Sequence, residues 1–319
     1  MAANSLDQLG AVVSRLIQGV PFFKGLKPAE LVSFLSKAKQ SSFKNGETVF
    51  NEGDAEAQKI FLVLKGSFEV RKLLTDGSSD VVDTLGMGQC FGEMALIDSQ
   101  PRSATVVAKA DGVLLSFTGD FVANFPSIAC RLYENMAHII ARRHLEMEND
   151  MKSHMVPVCE VQCVSQITKD MPPPPPGQIG PKGQEVLSRL GQPYTVAAHE
   201  YVVKENSFGQ NMYVVLEGEL EVSKVIEGEP VRLALLAPGN YFGETALVSE
   251  DFGRTADVIA IGDVKLVRLN AGHLQKTPEV GALIYRELAR IFSMRLRRST
   301  KVFMQTMGKK CHLDCPMRG

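Results

Sequence analysis

Apolar residues recur along this chain with two different periods. The runs IFLVL (60–64) and MYVVL (212–216) are continuously apolar, end at Lys65-Gly66 and Glu217-Gly218, and continue as SFEVRKL and ELEVSKV, where apolar and polar residues alternate. Alternation with period two between Gly turns reads as short antiparallel strands, and a succession of them predicts a small barrel or jelly roll. Other stretches have helical spacing. Leu6, Leu9, Val13, Leu16 and Val20 predict a leading amphipathic helix, and PFFKGLKPAELVSFL (21–35) predicts short helices after it. Ile128, Leu132, Met136 and Ile140 predict a long helix from Pro126 towards Met151, and Leu288, Ile291, Phe292 and Leu296 begin its equivalent near the C-terminal end.

The strand pattern occurs twice, with Gly66 and Gly218 separated by 152 residues. Repetition at that scale means a duplicated domain, not a solenoid. Between the copies lies MPPPPPGQIGPKG (171–183), read as neither helix nor central strand but as an extended polyproline II spacer, with a docking ligand for an aromatic groove as the alternative. The expected organisation is a leading helix over 1–20, a first domain over 21–155, a linker over 156–185, a second domain over 186–308 and a tail over 309–319.

One segment repeats closely enough to suggest chemistry. FGEMALIDSQPRSATVVA (91–108) has a weaker copy in YFGETALVSEDFGRTADVIA (241–260). A helix beginning at Gly92 would present unpaired backbone N–H groups to an anion, and Arg102 adds a planar guanidinium that matches two phosphate oxygens. Glu93 would repel a phosphate; an ionised carboxylate only accepts hydrogen bonds, so its natural partner is a sugar hydroxyl. An anion site beside a hydroxyl site describes a nucleotide. The second copy repeats the parts as Gly243, Glu244 and Arg254, with Ala246-Leu247 matching Ala95-Leu96.

These residues resemble the cyclic nucleotide-binding domain family, and the tandem pair is similar to the regulatory subunits or regulatory halves of cyclic-nucleotide-dependent protein kinases. The resemblance covers residues 21–155 and 186–300, and rests on FGE-x-AL followed by Arg-Ser-Ala or Arg-Thr-Ala. It implies a mainly β fold with flanking helices, two tandem eight-stranded β-rolls, and a mobile helical lid after each. It also implies that Glu93 and Glu244 take the ribose 2′-hydroxyl and that Arg102 and Arg254 take the cyclic phosphate. The implied ligand sites are Phe91, Gly92, Glu93, Met94, Ala95, Arg102, Ser103 and Ala104, then Phe242, Gly243, Glu244, Thr245, Ala246, Arg254, Thr255 and Ala256. The ligand is cyclic AMP or cyclic GMP, with no separate cofactor and no metal. Hydroxyls at Ser103 and Thr255 lean towards guanine, whereas family frequency favours cyclic AMP. The chain has no tryptophan, so Tyr133, Tyr285, Phe292 and Phe303 are the candidates to cap a base.

The second copy departs from the pattern. Gly92 to Arg102 is ten residues and Gly243 to Arg254 is eleven, with Phe252-Gly253 where Ser-Gln-Pro101 would place a proline. The insertion is absorbed if Gly253 adopts a conformation other residues avoid, and otherwise displaces the Arg. Asp257 adds a negative charge beside the expected anion site.

Composition narrows the alternatives. The chain has 319 residues, 45% apolar and 22% charged, enough for two ordinary domains, and a net charge of −1 that favours no nucleic-acid partner. No apolar stretch is long enough to span a membrane, and the six cysteines (Cys90, Cys130, Cys159, Cys163, Cys311, Cys315) read as reduced thiols, so the expected location is cytoplasmic. Metal-dependent cupin enzymes need converging histidines, and the first strand-rich region has none; Cys311-His312 with Cys315 makes at most a half-site. Bacterial cyclic-AMP receptor transcription factors would need a helix-turn-helix, for which no room follows 308. Residues 1–20 show none of the Arg-Arg-x-Ser/Ala segment with which the family's kinase regulators hold a kinase, and Arg297-Arg298-Ser299-Thr300 reads as a solvated helix face. The expectation is therefore a non-catalytic cyclic nucleotide receptor whose protein partner is a kinase catalytic subunit or a large assembly. The alternative is a scaffold protein that keeps the domains with one or both sites unresponsive.

Overall fold

The continuous apolar runs become interior strands. In the computed structural model, which describes residues 19–55, 59–74, 77–119, 126–154, 179–226, 229–248 and 253–308, β3 (Lys59–Lys65) is buried from Ile60 to Val63 and lies between β8 (Gly112–Thr118) and β6 (Cys90–Phe91). With β1 (Lys39–Phe43) these form a four-stranded antiparallel sheet in the order β1-β8-β3-β6. A second sheet takes β2 (Thr48–Phe50), β7 (Thr105–Ala108), β4 (Phe68–Leu73) and β5 (Ser79–Leu85), in the order β2-β7-β4-β5. Phe61 and Leu114 from the first sheet meet Phe68, Leu85 and Val106 from the second in one core cluster, so the two sheets face each other. Each such buried side chain contributes about 1.5–3 kcal/mol.

The second domain repeats this plan. β9 (Gln192–Val196), β10 (Tyr201–Val203), β11 (Met212–Glu217), β12 (Leu220–Ile226), β13 (Glu229–Leu236), β14 (Tyr241–Phe242), β15 (Asp257–Ala260) and β16 (Val264–Leu269) form sheets ordered β14-β11-β16-β9 and β10-β15-β12-β13. The Phe61–Phe91 stack, 5.2 Å between centroids, is echoed by Tyr213–Phe242 at 5.1 Å. Gly66 and Gly218, at φ 87° and 84°, turn the chain from one sheet to the other, between β3 and β4 and between β11 and β12. A Cβ at Gly66 would fall 2.7 Å from the Gly112 Cα, and one at Gly218 would fall 2.6 Å from the Asp263 carbonyl oxygen, which is why only glycine fits.

The expectation of a mainly β protein with two eight-stranded β-rolls is corrected. Helix and strand occur in roughly equal shares, and the strands form four separate four-stranded sheets, none closed into a barrel among the described residues. Closure needs hydrogen bonding continuous around the ring. Here β1 pairs only with β8, and β2 only with β7, so the chain changes sheets at the Gly46 turn with no ladder pairing between β1 and β2. The same happens between β5 and the two-residue β6, at the Gly88 turn.

Helices carry more of the chain than the strand pattern suggested. The Pro126–His154 helix has 29 residues and buries Ile128, Leu132, Met136 and Ile140. Asn135 fastens it by donating to the Phe22 and Lys24 carbonyls, both at 2.9 Å. Those carbonyls belong to a 3-10 turn, Pro21–Phe23, and its exit; the Pro28–Leu35 helix follows. A Pro181–Leu190 helix precedes the second domain, so Pro181 to Gly183 do not continue the expected spacer. Proline at the first helical position sacrifices only an N–H that has no partner there anyway. Most of the expected leading helix and linker, the tail, and Cys159, Cys163, Cys311 and Cys315 lie outside the described residues.

The chain divides into two compact units, Met1–Ile167 with Ala282–Gly319, and Thr168–Gly281. The Pro278–Gly308 helix, expected as the second domain's own lid, therefore belongs with the first unit from Ala282 onward. Tyr285 is fully buried there and donates from its hydroxyl to Glu134 at 3.2 Å.

Candidate functional site

β6 ends at Phe91, and Gly92, at φ 82°, turns the chain into the six-residue Glu93–Asp98 helix. A Cβ on Gly92 would lie 2.7 Å from Arg102 Nη1 and 2.9 Å from the Lys59 carbonyl oxygen, so glycine serves both the left-handed turn and the close approach. Arg102 is 4% exposed and donates from Nη1 to the Gly92 carbonyl and from Nη2 to the Lys59 carbonyl, both at 3.0 Å. Its guanidinium carbon lies 4.3 Å from the Phe50 ring centroid. The backbone of Arg102 is pinned as well: its N–H donates to the Asp54 carbonyl at 2.9 Å and its carbonyl accepts from Gly53 at 3.0 Å.

Glu93 is 1% exposed. Its Oε1 accepts from Nη1 of Arg143, which reaches in from the Pro126–His154 helix and also donates to the Cys90 carbonyl at 2.7 Å. Glu93 Oε2 and Arg102 Nε have no hydrogen-bond partner. Buried polar atoms are ordinarily paired, so an acceptor and a donor left open on two residues that line one cavity mark a candidate site. Burial draws the Arg102 guanidinium below its ordinary pKa, with Glu93 and Asp54 opposing. For Arg143 burial works the same way, but Glu93, Asp83 and Cys90 outweigh it and hold the pKa above the ordinary value. Burial also pushes the Cys90 thiol strongly up, assisted by the Glu93 charge.

All eight residues expected at the first site, Phe91 to Ala95 and Arg102 to Ala104, line one cavity of about 870 Å³. Ser103 donates weakly to the Met94 sulfur at 3.7 Å. Sequence reasoning missed Arg143 and Met147, although both extend the Met136–Ile140 stripe at helical spacing. It also missed Leu296, Arg297, Thr300 and Lys301, which line the same cavity. None of the candidate caps Tyr133, Tyr285, Phe292 and Phe303 is in that lining; Tyr285 and Phe292 are buried elsewhere, in the packing of the last helix. The basic Arg297–Thr300 stretch is not the solvated face expected, because Arg297 bonds Asp98 and Thr300 is 9% exposed.

The second copy keeps the arginine and loses the cluster. Gly243 takes φ 73° and opens a 3-10 turn, Glu244–Leu247, where the first domain has a helix. Arg254, 6% exposed, donates to the Gly243 carbonyl at 3.1 Å and to the Asn211 carbonyl at 2.7 Å, the same two bonds Arg102 makes. The inserted residue therefore does not displace it. Nor does Gly253 supply a special conformation, since its φ is not left-handed. Asp257 does not disturb the anion site: its carboxylate accepts from the Glu205 N–H at 2.7 Å, where Thr105 accepts from Glu52 at 2.9 Å. Of Phe242, Gly243, Glu244, Thr245, Ala246, Arg254, Thr255 and Ala256, only Arg254 lines the cavity of about 350 Å³ found here, whose other walls include Lys204, Asn211 and Tyr213. Glu244 is half-buried and Thr255 exposed.

The family model described as the cyclic nucleotide-binding domain matches residues 40–126 and 194–278. The cyclic AMP receptor protein of Thermus thermophilus is 33% identical over 139 residues, 42% of this chain and 62% of that protein. A cAMP-dependent protein kinase regulatory subunit from Blastocladiella emersonii is 27% identical over 267 residues, 82% of this chain and 58% of that protein. Among solved structures, the regulatory domain of Toxoplasma gondii PKA with cAMP is 21% identical, with 88% of this chain and 96% of that chain covered at a TM-score of 0.36. The chain thus spans only 62% and 58% of the two curated relatives.

Proposed function

The chain belongs to the cyclic nucleotide-binding domain family, and from that premise we propose that it is a non-catalytic receptor for cyclic AMP or cyclic GMP, with its first domain as the main ligand site. The observation that carries this reading is the pair of buried open atoms, Glu93 Oε2 and Arg102 Nε, on residues that line one large cavity. A cyclic phosphate accepts from Arg102, while a ribose hydroxyl donates to Glu93, so one molecule offers a partner to both groups. The eight sequence-expected residues of the first site are assigned to ligand contact on this basis; their eight counterparts in the second domain are assigned on the sequence repeat alone. We assign the domains to 21–155 and 186–308 as the sequence suggests, with the helix from Ala282 onward grouped with the first unit.

Binding is coupled to a protein partner. A kinase catalytic subunit is the partner class suggested by the relatives named as kinase regulatory subunits. We place the protein in the cytoplasm: Cys90 and Cys130 are buried thiols outside any disulfide, and no helix among the described residues is long and apolar enough to cross a membrane. A second reading holds for the second domain alone. Because its cavity excludes Glu244, that domain can act as an interaction module whose site does not respond to nucleotide. Calorimetry with cyclic AMP and cyclic GMP on wild type and Arg102→Ala tests the receptor reading; absence of binding by the wild type sinks it.

A further inference from the structure

Four residues of the first cavity come from the far end of the sequence. Leu296, Arg297, Thr300 and Lys301 stand on the Pro278–Gly308 helix, and all of them, with the rest of the lining, belong to the same compact unit. Their spacing of one, three and one puts them on one face of the helix. Leu296 and Thr300 are 7% and 9% exposed, so an apolar side chain and a hydroxyl-bearing one form this part of the cavity wall. A hydroxyl in a cavity wall can donate to or accept from a ligand's polar edge, while the apolar side chain packs on its face.

The helix is fastened at one point to the ligand-binding segment. Asp98, whose side chain is 2% exposed, accepts from Ser293 Oγ at 2.7 Å, from Arg297 Nε at 2.6 Å and from Arg297 Nη2 at 3.1 Å. Its Oδ1 also accepts from the Gln100 N–H at 3.0 Å. Asp98 ends the same six-residue helix that Glu93 begins. One short rigid element therefore holds the proposed ribose acceptor at one end and the clasp at the other.

We propose that the last helix is the lid of the first site, that Leu296 and Thr300 contact the part of the nucleotide that Glu93 and Arg102 do not engage, and that Arg297 is the positioning residue that holds the lid shut through Asp98. This inference rests on the receptor reading. A lid that contacts ligand only when closed raises affinity by the difference in its contacts between the open and closed states. Loss of the clasp favours the open state and speeds release.

The test uses the full chain and the two cyclic nucleotides, with calorimetry, dissociation rates and amide hydrogen exchange. Arg297→Gln is expected to release nucleotide from the first site about tenfold faster, a change of the size one lost charge-assisted bond produces, and Arg297→Lys to recover part of the loss. Thr300→Val, which keeps the shape and removes the hydroxyl, is expected to change the ratio of cyclic AMP to cyclic GMP affinity. Exchange of amides in 282–308 should slow on adding nucleotide to the wild type and not in Arg102→Ala, a comparison that holds even if the Arg297 variants fail to fold. If the wild type binds but Arg297→Gln and Thr300→Val match it, or the exchange in 282–308 is unmoved, the lid is overturned while the receptor reading survives. If the wild type binds neither nucleotide, both fall together.

Discussion

The two cassettes begin from nearly the same sequence and end as different sites. In each, a left-handed glycine and a buried arginine are tied by the same pair of backbone bonds. What differs is what reaches them from outside the repeat. The first receives Arg143 from the helix after its sheets and a wall from the last helix; the second has a 3-10 turn, a half-buried glutamate and a smaller cavity that Arg254 lines and Glu244 does not. The arginine's seat is therefore set locally, by strand and turn geometry that duplication preserves. The carboxylate's environment is set by helices, and helices are where the copies diverge.

Several substitutions break or sharpen that contrast. The largest effect is expected from Arg143→Leu, which strands the Glu93 charge in a buried site and should cost about 3–5 kcal/mol of stability at neutral pH. Denaturant melts of the variant beside the wild type will measure the loss. Next, Arg102→Ala should weaken nucleotide binding by about 2–5 kcal/mol, while Arg254→Ala leaves the first-site isotherm unchanged; equal losses in calorimetry would mean the sites are equivalent after all. Gly92→Ala forces a left-handed residue against Arg102 and should cost about 1–3 kcal/mol. By contrast Gly253→Ala, which meets only the Asn206 Cα at 3.9 Å, should melt within a degree or two of wild type. Smallest of all is Asp257→Thr, which restores the hydroxyl acceptor of the first copy. A shift of less than about 1 kcal/mol is expected, since one backbone-directed hydrogen bond replaces another.

Much of this was legible from the sequence, for identifiable reasons. The strand pattern placed β3 and β11 because a strand buried on both faces is continuously apolar. The cassette residues were found because their chemistry is local, with Gly92, Glu93 and Arg102 all within eleven positions. Closure was misjudged: strand count predicts strands, but whether edges pair depends on turns such as Gly46 and Gly88, whose effect on hydrogen bonding has no periodic signature. Arg143 lay on a visible helical stripe and was overlooked because a charge interrupting an apolar face reads as a boundary. The contribution of Leu296 and Thr300 had no local signal at all, since it arises from contacts about 200 residues apart, like that of Asp98 with Arg297 at a separation of 199.

The placement of the last helix bears on how the protein can be dissected. Cutting at the repeat boundary seems natural from sequence, because each half carries its own cassette and sheets. A fragment ending near 155 would nevertheless leave its cavity without the flank that Leu296 and Thr300 provide and would expose the buried Asp98 carboxylate to water. Affinities measured on such a fragment would describe an unroofed vessel, and the isolated second half would carry a helix whose apolar stripe, Tyr285, Leu288, Phe292 and Leu296, had lost its bed.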